Sequence, residues 1–376
     1  DPDCVPFLTA YDPSASVDPN LSAYVDTPTL TVGTIEQLIY GGTLSGDLTD
    51  YGIVLPAAED GVAIVLGTEF RRDSLRTQAD GINQSGNLVG SGGRVLPTNG
   101  ETEALEFFTE LQIPIIQDAR YARELSFNAA YRYSDYSSED ILNSVSGGDF
   151  STDTYAFGLS WSPLDDVRFR LQYQRAIRAP NIGELFLPQN TNLSSLSDPC
   201  AGFANSPEPP TATLQECQRT GVTAAQFGSI PPDSGQLNVL TGGDPNISPE
   251  ESDTITFGVV VQPSAIPDLT VSVDYYDIDL TDQVGTIPAT FTLQSCLDSG
   301  DPRFCNLVNR GPDGSLTFFP REQANIVATS LNIAEASTSG VDVSIKYSLI
   351  PTENWGMIDL SYTSTYQIDN TQTPLP

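Results

Sequence analysis

The chain has 376 residues, 49 of them acidic and 16 basic, with no histidine and a formal net charge of −33. That balance argues against nucleic-acid binding, which needs a basic stripe, and fits an exposed, solvated surface that attracts cations. The missing histidine, with no G-x-S-x-G run and no C-x-x-C pair, leaves serine-nucleophile chemistry and a zinc site without support. No stretch is apolar for 18 residues, so no membrane helix is expected, but a membrane strand needs only about 9–11 alternating residues.

In chain order, residues 1–35 read as a loop rich in Asp, Pro, Ser and Thr. Strand-like segments follow at 36–48, 62–76, 102–117, 124–136, 154–161 and 167–176, so that 36–176 holds six strands. The pattern is clearest at 167–174: Val167, Phe169, Leu171 and Tyr173 alternate with Arg168, Arg170, Gln172 and Gln174. Period-two alternation marks a strand with two unlike faces. A long insertion, 177–250, comes next. A hairpin at 251–280 follows, with Ile255, Phe257, Val259 and Val261 on one face of its first strand. Residues 281–323 form another long loop. The last hairpin, 324–367, carries Val341, Val343, Ile345, Tyr347 and Leu349 on one face. No long amphipathic helix is expected. The start at Asp1 and the end in TPLP, just after a strand-like run, suggest an internal piece of a longer protein.

Connections alternate short and long, and aromatics gather at strand ends (Trp161, Tyr173, Tyr347, Trp355). Short turns on one rim, long loops on the other and aromatic girdles are features of an outer-membrane barrel. Structureless loops of that length would count against a compact soluble domain. The expected fold is an all-β, antiparallel transmembrane barrel, incomplete at about ten strands. Loops 177–250 and 281–323 would then lie outside the cell, and the turns at 162–166, 263–268 and 350–354 would face the periplasm. Cys200 with Cys217, and Cys296 with Cys305, sit as local pairs in the long loops and read as two disulfides. Free thiols or a metal are the other readings. Cys4 is left without a local partner.

At 175–188 the sequence RAIRAPNIGELFLP becomes specific. Arg175, Arg178, Ala179, Pro180, Asn181, Glu184, Leu185 and Phe186 resemble the motif of TonB-dependent outer-membrane receptors. The resemblance continues through Asp198-Pro199-Cys200, Pro249-Glu250 with Ser252-Asp253-Thr254, and Ser339-Gly340-Val341-Asp342, in family order over about residues 40–366. It implies a barrel of about 22 strands closed by a plug. Such a receptor binds a scarce ligand (siderophore, cobalamin or glycan) and imports it with energy from the TonB–ExbB–ExbD complex, which contacts the plug. No plug, TonB box or final aromatic strand is recognisable in this chain, so about ten strands would leave two unpaired edges.

Ligand binding is the chemistry to expect, with no catalytic residue, metal or cofactor. Arg168 and Arg170 toward the lumen, with Arg175 and Arg178 toward the mouth, would form a cationic ladder suited to carboxylate or phosphate. The plainer reading is that they pair with carboxylates of the barrel or plug. Loop aromatics, Phe203 and Phe304 among them, could stack on a sugar or chelate ring, or simply pack the loops. The expected partners are outer-membrane lipid, the TonB–ExbB–ExbD complex and a small-molecule or oligosaccharide ligand. A passive porin or adhesin, and a secreted acidic carbohydrate-binding β-sandwich, are the alternatives.

Overall fold

The computed structural model describes residues 28–86, 88, 93–349 and 356–373. Ten long strands form one antiparallel sheet in sequence order. They are β1 (Thr31–Asp47), β2 (Ala63–Ala79), β3 (Thr98–Ala119), β4 (Ala122–Asp140), β5 (Phe150–Leu164), β6 (Val167–Arg178), β7 (Glu250–Val261), β8 (Leu269–Gly285), β9 (Leu331–Leu349) and β10 (Ile358–Thr373). Each pairs with the next, and β1 and β10 end the sheet without meeting, so the barrel is not closed. Cys4, Trp355 and the turn at 350–354 lie outside the described residues.

The sheet departs from expectation at both ends. Strand β1 begins at Thr31, inside the segment expected to be loop. The extended run expected from 324 is broken: Asn325–Val327 belongs to another sheet, and β9 starts at Leu331. On one rim, two residues (Arg120 and Tyr121) join β3 to β4, and two more (Asp165 and Asp166) join β5 to β6. On the other rim lie the long connections 179–249 and 286–330.

The register gives the sheet two unlike faces. Phe107, Leu171 and Phe257 share one face and are 52%, 50% and 47% exposed. No second sheet packs over them among the described residues. A soluble sandwich would cover that face, whereas lipid needs no cover. The apolar stripe from Tyr155 to Trp161 spans roughly 20 Å of strand and ends in aromatic groups. At the short-turn rim, Trp161 stacks on Phe169 with centroids 5.4 Å apart and donates its indole N–H to the Tyr121 carbonyl (3.0 Å). At the other end, tyrosine hydroxyls donate to aspartates on the same face: Tyr131 to Asp153, Tyr173 to Asp253 (2.8 Å) and Tyr275 to Asp277 (3.1 Å). Amphipathic rings of this kind mark the two edges of a hydrocarbon layer.

The two long connections do not stand as separate loops. Their short strands Asn190–Ser195, Gln236–Thr241, Val308–Asn309 and Asn325–Val327 join in one four-stranded sheet, the two halves meeting where Gln236–Thr241 runs parallel to Asn325–Val327. One apolar core unites Ile230 and Leu237 of the first connection with Leu293, Leu316 and Ile326 of the second. Both disulfides, Cys200–Cys217 and Cys296–Cys305, lie in or against that core. Arg310 of the second connection and Asp198 of the first form a bidentate ion pair at 2.5 and 3.0 Å, their side chains 4% and 1% exposed. Arg310 also donates to the Thr220 hydroxyl (2.8 Å) and the Gly314 carbonyl (2.9 Å). The result is a small cap with its own core. It includes the eleven-residue helix Ala289–Ser299, which the sequence reading missed.

Candidate functional site at the barrel mouth and inner wall

The motif at 175–188 is a clamp between strand and cap. Strand β6 ends at Arg178, directly across from Glu250 at the start of β7. The Arg178 guanidinium grips Glu250 through two bonds of 2.7 Å and Glu184 through bonds of 3.0 and 3.1 Å. Planar guanidinium suits such bidentate pairing. Glu184 is fixed in turn by a capping box. It accepts the Asn181 N–H (2.8 Å), and the Asn181 side chain accepts the Glu184 N–H (2.9 Å). Glu250 also accepts the Val284 N–H of β8 (2.8 Å). Three adjacent strands are thereby tied to one short helix, Ile182–Phe186.

That helix turns its apolar side onto the sheet's other face. Ile182, Leu185 and Phe186 are buried with Ile247, against Leu75 and Val284. Glycine makes the approach possible: a Cβ on Gly100 of β3 would stand 2.5 Å from Ile182 Cγ2, and one on Gly243 would stand 2.7 Å from the Leu185 carbonyl carbon. The helix therefore covers the inner face at the long-loop rim, over β2 and β3. Asn332 adds a second latch, accepting the Ser248 N–H (2.8 Å) and donating to the Ser248 carbonyl (2.9 Å).

The four arginines expected to form one ladder are split by strand parity. Arg168, Arg170 and Arg178 share the inner face with Gln172, but Arg175 lies on the outer face with Tyr173 and Leu171. Its guanidinium pairs with Asp253 (3.0 and 2.6 Å) and lies 5.8 Å from the Tyr155 ring centroid. It stands at the edge of the apolar band, a position that membrane headgroups meet. Arg168 is 3.5 Å from Glu124, and Arg170 is 2.7 Å from Asp274. Carboxylates of the wall thus occupy the inner guanidinium groups. Phe304 is buried in the cap core, edge-on to Phe291, and presents no open ring. Phe203, in a small two-stranded antiparallel sheet of the cap, is 45% exposed. Phe291, another of the loop aromatics expected as ligand contacts, is open to solvent, whereas the Arg310–Asp198 pair was not distinguished by the sequence reading.

A short-turned, single-layered sheet with apolar outside, polar inside and a cap clamped into its mouth is one wall of an outer-membrane barrel. The family model "TonB dependent receptor-like, beta-barrel" matches residues 8–376. The chain belongs to that TonB-dependent receptor family. It is accordingly an outer-membrane protein of Gram-negative bacteria. Among solved structures, a mutant of the ferric enterobactin receptor of Pseudomonas aeruginosa, in complex with enterobactin, shares the fold at TM-score 0.52 and 14% identity. The match covers 90% of this chain and 36% of that one. The siderophore receptor PirA of Acinetobacter baumannii matches at TM-score 0.49 and 12% identity, over 90% of this chain and 37% of that one. No curated protein sequence matches at a significant level. This TonB-dependent receptor chain thus spans little more than a third of the receptors it resembles in fold.

Proposed function

We propose that the chain supplies the central wall and much of the outer cap of a receptor that captures a scarce external ligand. The receptor imports it with energy from the TonB–ExbB–ExbD complex of the inner membrane. The observation that carries this reading is the clamp Glu184–Arg178–Glu250, which roots a folded cap in the barrel mouth. The reading involves no catalytic step. Arg168, Arg170 and Arg178 act in it chiefly as wall and clamp residues, and Phe203 remains a candidate ligand contact.

The test is uptake by cells carrying the full-length gene. Ligand accumulation should fall about tenfold or more when a protonophore is added or TonB is deleted. Unchanged accumulation would point to passive passage. Recovery of the full-length protein as a soluble monomer without detergent would point to a secreted sandwich.

A further inference from the structure

The outer, lipid-facing side of the wall is notched between β3 and β5. The register sets Ile64, Leu111, Ala129, Phe157, Tyr173 and Ile255 in one row from β2 to β7. Ala129 is the small side chain of that row. Its neighbours Leu111 and Phe157 stand two strand spacings apart, about 10 Å. Between them opens a depression of about 310 Å³, lined chiefly by Thr109, Leu111, Ala129, Tyr131, Tyr155 and Phe157. The Phe157 ring lies between Phe127 and Tyr155, with centroids 6.3 and 5.8 Å away, so that flank is fixed by aromatic packing. Apolar contacts form at about 4 Å, so the gap left between the two flanks has the width of one hydrocarbon chain. The notch is continuous with the apolar band that the outer membrane covers.

Toward the long-loop rim the notch ends in polar groups. Tyr131 and Tyr155 are paired across β4 and β5, and the Tyr131 hydroxyl donates to Asp153. Asp135 of β4, Asp153 of β5, and Glu251 and Asp253 of β7 share the outer face at or above this height. Among the described residues of β4–β7 at this rim, Arg175 is the one cation on that face. Its guanidinium is committed to Asp253 (3.0 and 2.6 Å), with Glu251 at 3.7 Å. A lipid phosphate lying here would meet carboxylates and an occupied guanidinium. Hydroxyl groups would find acceptors without bringing charge, since an ionised carboxylate only accepts.

We infer that the notch is a binding site for one membrane lipid of the outer leaflet, a glycolipid in chemical terms. One acyl chain lies over Ala129 between Leu111 and Phe157, and headgroup hydroxyls donate to Asp153 and its neighbouring carboxylates. The site faces away from the lumen, so it is independent of what the receptor carries. Bulk bilayer covering the whole band without preference is the rival, and the test separates the two.

The experiment is native mass spectrometry of the detergent-solubilised full-length receptor, titrated with two lipids of matched acyl chains. The probes are an uncharged galactosyl diacylglycerol and the anionic phosphatidylglycerol. The galactolipid should be retained as a single saturable adduct, about fivefold or more in preference to phosphatidylglycerol. Ala129→Phe, which fills the notch, should weaken its retention about tenfold. Ala129→Leu should give a smaller loss and covers the case in which the larger ring hinders assembly. Leu171→Phe, on the same face outside the notch, should leave retention unchanged. Asp153→Asn, which can still accept from Tyr131, should narrow the preference between the two lipids. Three results would each overturn the inference: equal or stronger retention of phosphatidylglycerol, no saturable galactolipid adduct, or retention that both Ala129 variants leave unchanged. An equal loss in Leu171→Phe and Ala129→Phe would assign the contact to bulk bilayer instead.

Discussion

The wall and the cap follow opposite solvent rules within one chain. In the wall the large apolar side chains point outward, and the polar ones line the inside. In the cap the order is that of a water-soluble domain, with Ile230, Leu237, Leu293 and Ile326 inside. The wall is held by a continuous backbone ladder, so it tolerates an exposed Phe257 or Leu171. The cap lacks long strands and depends on a shared core, two disulfides and a buried ion pair. The difference shows that burial alone does not define a core here. What matters is which solvent each face meets.

Breaking the cap should have the largest effect. Arg310→Ala leaves Asp198 charged, buried and unpaired, which costs about 3–5 kcal/mol. Hydrogen exchange should show both connections, 179–249 and 286–330, losing protection together while β3–β8 keep theirs. Protection lost in only one connection would contradict a shared cap. Replacing both partners, Asp198→Leu with Arg310→Met, should be milder than either single change.

Charge placed on the wall should discriminate its faces. Leu171→Arg puts a cation in the apolar band at about 2–4 kcal/mol and should reduce heat-modifiable, membrane-assembled receptor on gels. Gln174→Arg, on the inner face of the same strand, should assemble normally. Equal effects would remove the distinction between faces.

The junction of wall and cap should respond less strongly. Gly100→Val drives a side chain into Ile182 and Phe186, an overpacking cost of about 1–3 kcal/mol. The expected readout is faster exchange at 181–187 with wall strands unchanged.

The smallest effect concerns pH and the exposed cap helix Leu214–Arg219. Its capping box holds Glu216 below the ordinary value of 4.5, first through the Thr213 N–H and then through the Thr213 hydroxyl. A carboxyl lowered on folding contributes stability above its unfolded value and loses it as pH falls through the folded one. Helix protection should therefore decline on acidification below about pH 4.5, and Glu216→Gln should flatten that decline.

The wall was legible because lipid enforces strict alternation. Strands β4 to β8 announce themselves by period two, β3 does so only loosely, and the loop asymmetry orients them. Arg175 could have been placed by the same rule: it shares odd parity with Tyr173 and Leu171, which puts it on the lipid side despite its charge. The cap was not legible, since its contacts join residues about a hundred positions apart. Arg310 meets Asp198 at a separation of 112. Helix Ala289–Ser299 is rich in Thr and Ser, weak helix formers, yet its buried Thr292, Leu293, Cys296 and Leu297 follow helical spacing. Phe304 looked like a ligand contact because nothing local revealed the core that takes it. Glu184 and Glu250 stood in the recognised motif, but only the register placed both within reach of Arg178.

The most direct measurement is a nitroxide scan of β6 in the full-length receptor in lipid vesicles, one position at a time from Phe169→Cys to Gln174→Cys. Each label is tested against oxygen, which partitions into lipid, and a water-soluble nickel chelate. The account predicts strict alternation: labels at Phe169, Leu171 and Tyr173 relaxed by oxygen, and those at Arg170, Gln172 and Gln174 relaxed by nickel or shielded from both. Nickel access at both parities, or oxygen access at both, would contradict a wall with one face to lipid and the other to the lumen.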